Sequence, residues 1–180
     1  MSERNTLIRS LHDVGLAAWF GGSLMGAVGL NGGASTAHDP RERLAISSAG
    51  WAKWAPVQLA AIAAHGIGGI GLIIANKGRL AGQAEARSNT GVKLVITGIA
   101  GAATLYSGIL GGVIATHSSE GGDTVTTPNA AASKTLAAAQ TKQKILQWVV
   151  PATTVVLIVL AAQQGEQQRP IAGFLHKFTK

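Results

Sequence analysis

Four stretches of the chain, residues 14–38, 54–76, 94–119 and 145–165, contain no Asp, Glu, Lys or Arg, and they run 25, 23, 26 and 21 residues. The hydrocarbon core of a bilayer is ~30 Å thick, which a helix spans with ~20 apolar residues. Lipid offers no partner to a backbone amide, so such a segment must satisfy its own hydrogen bonds as a helix. Each stretch therefore reads as one crossing. Charged residues are only 13% of the 180 in the chain, about half the share of an ordinary soluble domain. The expected fold class is an all-α integral membrane four-helix bundle, a single domain over 1–180 with crossings at about 8–30, 54–76, 93–116 and 146–163.

The charges that remain orient the bundle. The connection 77–93 carries Lys77, Arg79, Arg87 and Lys93, whereas the longer loops 31–53 and 117–145 carry three basic residues each. The positive-inside bias puts both termini in the cytoplasm. Trp51, Trp54 and Trp148 sit at the entrances to the second and fourth crossings, where indole rings anchor a helix at the headgroup level. The basic residues, which give a net charge of +7, flank apolar runs as they do beside anionic lipid. They form no aromatic-interleaved patch, so lipids are expected as partners and nucleic acid is not. The first apolar run, residues 14–30, is longer than the 7–15 residues of a signal-peptide core and follows Asp13, so it is expected to be a retained crossing.

Within the outer loops, Asp39-Pro40 has the form of a helix N-cap with a first-turn proline. It opens a segment whose Leu44, Ala45, Trp51 and Trp54 are expected on the membrane surface. The alanine-rich stretch after Thr127-Pro128 favours helix and is expected to run on into the fourth crossing, with Pro151 inside it. The tract HSSEGGDTVTT between 117 and 127 reads as a flexible loop.

Small residues recur every four positions in three crossings: Ala18, Gly22 and Gly26; Ala60, Ala64 and Gly68; Ala100, Thr104, Gly108 and Gly112. Such stripes let helix backbones approach closely in lipid. The fourth crossing is β-branched and glycine-free, and is expected on the outside of a tight three-helix core, turned to lipid or to a partner.

Chemistry-bearing signals are few. Residues 66–71, GIGGIG, match a dinucleotide fingerprint with Glu85 downstream, but that motif needs a strand before it and water-accessible phosphate after it. In mid-crossing it reads as helix packing. No acid or base other than histidine is expected to be buried in a crossing, which removes the residues of ion-coupled transport. The chain has no cysteine, hence no thiol chemistry, and no hydrolytic triad or HExxH appears. An enzyme is not expected, nor a resident cofactor or metal. His65, near the midpoint of the second crossing, is the one buried candidate. His12 and His117 lie about 15 and 18 Å from mid-crossing depth at 1.5 Å per residue, too far to share a haem iron with it. Met25 is nearer in depth, and Tyr106 sits at the midplane of the third crossing. A hydrogen bond from Tyr106 would satisfy His65 in a dry bundle, with Thr104 and Ser107 as reserve partners.

The first crossing, LHDVGLAAWFGGSLMG, resembles the opening of copper-resistance-D-like bacterial membrane proteins, through His12, Trp19, Gly21 and Gly22. The segment GWAKWAPVQLAAIAAHGIGG is similar to actinobacterial four-helix membrane proteins. The resemblance implies a multi-pass protein of the bacterial cell membrane and, for the copper family, metal handling on the outer side. The outer His38 and His117 stand apart and no Met/His cluster joins them. The residues together lead to the expectation of a non-enzymatic accessory or stabilising subunit beside a larger membrane protein, or of a homo-oligomer. The alternative is a ligand-handling protein that binds haem, quinone or a metal ion near His65, Met25 and Tyr106.

Overall fold

The computed structural model describes residues 5–167, and the ends of the 1–180 domain lie outside the described residues. Among the described residues there are no strands, and four helical spans are long and apolar enough to cross a membrane: Thr6–Ala34, Pro40–Ala75, Ala84–Thr116 and Lys134–Gln163. The first is α1 (Thr6–Met25), a π-turn over Gly26–Leu30 and α2 (Asn31–Ala34). The second is α3 (Pro40–Ala75), followed by a short α4 (Lys77–Gly82). The third is α5 (Ala84–Thr116), and the fourth is α6 (Lys134–Gln167). The chain is an all-α four-helix bundle with the dimensions of a multi-pass membrane protein.

The helices are longer than the apolar runs that seed them. α3 has 36 residues and α6 has 34, so each is ~50 Å long and exceeds a ~30 Å hydrocarbon core. Asp39 accepts a hydrogen bond from the Arg41 amide at 2.8 Å, and Pro40 occupies the first turn, which fixes where α3 begins. Nothing interrupts the helix from there to Ala75. The segment 40–53, expected on the membrane surface, is therefore the first third of the second crossing's own helix. Its Leu44 is fully buried in a cluster with Leu110, Ile114, Leu136 and Ala139. The alanine-rich segment does continue straight into the fourth crossing; its helix starts at Lys134, where Ser133 Oγ accepts from the Leu136 amide at 3.2 Å.

Two antiparallel pairs make the bundle: α1 packs along α3, and α5 along α6. α1 also meets α6, whereas α3 and α5 touch sparsely. The expectation of an outlying fourth helix is thereby corrected. The buried positions of α6 include Leu136, Gln140, Gln143, Val150, Thr154 and Leu157, spaced alternately by three and four residues around half-buried Gln147, a coiled-coil-like seam. Half of that seam is polar, so hydropathy alone leaves it invisible. The second core cluster joins Trp19 to Ala100, Ala103 and Val150, with Ile62 packed against it.

Polar side chains tie the loop end together. Asn31 is buried; its Oδ1 accepts from Ser47 Oγ (2.8 Å) and Trp51 Nε1 (2.9 Å), and its Nδ2 donates to Gln147 Oε1 (3.0 Å). One residue after the π-turn thus links three crossings. The tract 117–127, expected to be a flexible loop, is folded back on the helices. Gln140 Nε2 donates to the Thr124 and Val125 carbonyls (3.2 and 3.1 Å), and Arg43 donates to the Ala37 and Asp123 carbonyls (both 2.7 Å). Gly121, at φ +75°, takes the left-handed conformation that this return requires.

Candidate functional site

The site begins with glycine. In the α1–α3 seam Gly15 lies against the Ala61 carbonyl and the His65 backbone, and Gly68 lies against the backbone of His12. A β-carbon at either position would collide with main chain, so the two helices approach here as closely as small residues permit. Towards the loop end, Gly22 and Gly26 receive the indole rings of Trp54 and Trp51. Ala18 and Ala64 are half-buried. The seam sets a register in which His12 falls beside His65.

This overturns the expected depths. The level of residue 22 on α1 is met by Trp54, and that of His12 by Gly68. His65 lies at the level of His12, towards the end of the bundle where α1 begins and α6 ends. Its Nδ1 donates to the His12 carbonyl at 3.2 Å, and the two imidazole ring centres are 4.2 Å apart with planes tilted by 38°. Trp19 stands edge-on to His65 at 6.0 Å, and its Nε1 donates to Thr104 Oγ1 at 3.1 Å. The expected Tyr106–His65 hydrogen bond is not formed. Tyr106 is 41% exposed on α5, and Met25 is 65% exposed with its sulfur beside Gly29 of its own helix. Neither residue lines the histidine site. Trp51 and Trp54, expected as headgroup anchors, are turned into α1; Trp148 is 49% exposed.

Both histidines have one ring nitrogen engaged. His12 Nδ1 is 2.8 Å from Asp13 Oδ1; because a carboxylate or carbonyl oxygen only accepts, Nδ1 carries the hydrogen in each ring. In the neutral form of either ring, Nε2 then carries the lone pair. A trans pair of haem ligands would need ring centres roughly 6 Å apart, from two ~2.0 Å metal–nitrogen bonds plus the half-widths of the rings. The 4.2 Å spacing leaves no room for an iron between them. Among the described residues no three His, Asp or Glu side chains converge as metal ligands.

The pair borders a cavity of ≈ 260 Å³ built by the terminal ends of the bundle helices. Arg9, Asp13, Asn76, Arg79, Thr90 and Lys93 supply its polar lining; Leu16, Ile73, Leu94 and Leu157 supply apolar wall. Three cations thus face one carboxylate beside two imidazoles, and apolar surface continues from them. Such a site can hold an oxygen-bearing head by N–H donation from the cations, accept a hydroxyl proton at Nε2, and keep an apolar body dry.

Other expected packing positions part company. Thr104 meets Trp19, but Gly108 and Gly112 have open space where a β-carbon would stand. The packing face of α5 keeps the expected Ala100 and continues through Ala103, Leu110 and Ile114. His12 and Asn31 are the two residues that reading by depth missed. The available signal was the placement of Gly15 and Gly68, which brings residue 12 of one helix beside residue 65 of the other once the pair is aligned antiparallel. No protein-family model, curated protein or solved structure matches the chain.

Proposed function

We propose that this is a ligand-handling membrane protein that binds a small quinone-type amphiphile in the His12–His65 cavity and catalyses no reaction on it. The observation that supports this reading is the histidine pair itself. Two imidazoles, each with Nδ1 engaged by an oxygen, border one cavity that also contains Arg9, Arg79 and Lys93. A quinone carbonyl accepts from cationic N–H groups, and the hydroxyl of the reduced form donates to a bare Nε2, so one ligand class uses both donor sets. Leu16, Ile73 and Leu94 would hold the start of its tail. With the basic connection 77–93 on the cytoplasmic side, the cavity opens towards the inner leaflet of a bacterial cell membrane. The accessory-subunit reading drew on a peripheral fourth helix; with α6 inside the bundle, ligand handling has the stronger support.

The test is titration of the purified protein in lipid nanodiscs with a decyl-tailed quinone, followed by quenching of tryptophan fluorescence. His12→Ala and His65→Ala should each weaken binding about tenfold, the worth of one good polar contact, and Trp148→Phe should not. Unchanged affinity in both histidine variants would sink the proposal.

A further inference from the structure

Beyond the loop-end cluster of Leu44, Leu110 and Ile114, α3 and α5 enclose a cleft of ≈ 720 Å³, within the size range of small-molecule sites. α3 forms one wall from Ser47 to Ile62, α5 forms the other from Gly101 to Ala115, and α6 contributes Gln143, Gln147 and Val150. Its width comes from Gly101, Gly108, Gly111 and Gly112, each with open space at the β-carbon position.

The lining differs from that of the histidine cavity. No charged side chain borders the cleft among the described residues. Its polar groups include Asn31, Ser47, Gln143 and Gln147 at the loop end, and Ser23, Gln58 and Thr104 further along, among Leu59, Ile62, Gly101 and Val150. Gln143 marks the head position. It is 92% buried (8% exposed), its Nε2 donates to Ser107 Oγ at 2.6 Å, and its Oε1 has no partner. A buried amide atom without a partner is costly. A hydroxyl both donates and accepts, so it completes this amide once the side chain turns towards the cleft it lines.

We propose that the cleft binds a neutral membrane lipid headed by a hydroxyl, of the diacylglycerol kind, with its head at Gln143 and an acyl chain along the glycine face of α5. The uncharged lining disfavours a phosphate head, which would lose its hydration without gaining a cation. An apolar helix from another chain would leave Gln143 unsatisfied. This site is separate from the His12–His65 cavity and stands whether or not that cavity binds quinone.

The experiment uses the full chain in phosphatidylcholine vesicles doped with a diacylglycerol that carries a diazirine on one acyl chain. Photolabelling should fall in the peptide spanning Gly101 to Gly112, and excess unlabelled diacylglycerol should remove it while excess phosphatidylcholine does not. Gly108→Leu and Gly112→Leu, whose β-carbon positions are open and point the new side chain at the cleft, should each cut labelling about tenfold. Gly98→Leu, equally open but outside the cleft, should leave it unchanged and report that α5 tolerates leucine. Gln143→Leu should abolish the preference over phosphatidylcholine. Equal competition by phosphatidylcholine, or wild-type labelling in both cleft-filling variants, would overturn the proposal. So would absence of the lipid adduct together with disulfide-linked dimers of Gly112→Cys, which would give the cleft to a second copy of the chain.

Discussion

The α1–α3 seam and the α3–α5 cleft are lined by the same kind of residue and put it to opposite uses. In the seam, Gly15 and Gly68 are filled by the neighbouring backbone, and Gly22 and Gly26 by indole rings. In the cleft, Gly101, Gly108 and Gly112 face empty space. What differs is the opposing surface. α3 offers α1 two tryptophans, a histidine and a glycine in register, whereas α5 has spent its packing face on α6 through Ala100, Ala103, Leu110 and Ile114. A small residue in a membrane helix permits close approach; whether approach happens depends on what stands opposite. The empty glycines are the ones that can admit a ligand.

Matched substitutions test that contrast most sharply. Gly68→Val should destabilise the bundle by ~3 kcal/mol or more, since a β-carbon there meets the His12 main chain and the helices must part. Gly108→Val should move stability by no more than ~0.5 kcal/mol, because nothing lies within 4 Å of its β-carbon. Unfolding in nanodiscs or by SDS titration measures both; equal losses would remove the distinction between seam and cleft. The next effect in size is Asn31→Leu. It deletes the hydrogen bonds to Ser47, Trp51 and Gln147, which at ~0.6 kcal/mol each in a membrane protein sum to ~2 kcal/mol. Trp19→Phe should cost about 1–2 kcal/mol, since it loses the bond to Thr104 and leaves a cavity in the cluster with Ala100, Ala103 and Val150.

The class of fold was legible because lipid makes a simple demand: runs of ~20 apolar residues must be helices. The extent of those helices was less so, since outside the lipid the rule lapses and caps decide. Asp39-Pro40 began α3 well before its apolar run. The pairing of His12 with His65 is not legible in the apolar runs, because their bounds do not give the register between two helices, which Gly15 and Gly68 set. On α5 the four-residue stripe meets the contact face at Ala100 and Thr104 and leaves it at Gly108 and Gly112. In α6 the contact face carries Gln140, Gln143 and Thr154, which a search for apolar periodicity passes over.

The loop end extends the comparison to a region where water replaces lipid, and it carries the smallest predicted effect. There the return of residues 117–133 is held by polar contacts in place of glycine-to-ring packing. Glu120 Oε2 accepts from the Ser133 amide at 2.6 Å, and Asn129 Nδ2 donates to the Glu120 carbonyl at 3.2 Å. The Ser133 amide holds the Glu120 carboxyl below its ordinary range, with the Ser133 hydroxyl and nearby His117 acting in the same direction. The folded state thus binds this proton less readily than the unfolded chain does. The contribution of Glu120 is then fully present above the unfolded value of ~4.3 and is lost as pH falls through the lower folded value. Glu120→Gln should flatten stability in that acid window, leave the neutral-pH fold of the seam intact, and slightly loosen the start of α6 at Ser133. Thermal melts of both proteins between neutral and acid pH read this directly. An identical acid dependence in the variant would show that the start of α6 is held by its Ser133 cap and the Gln140 contacts alone.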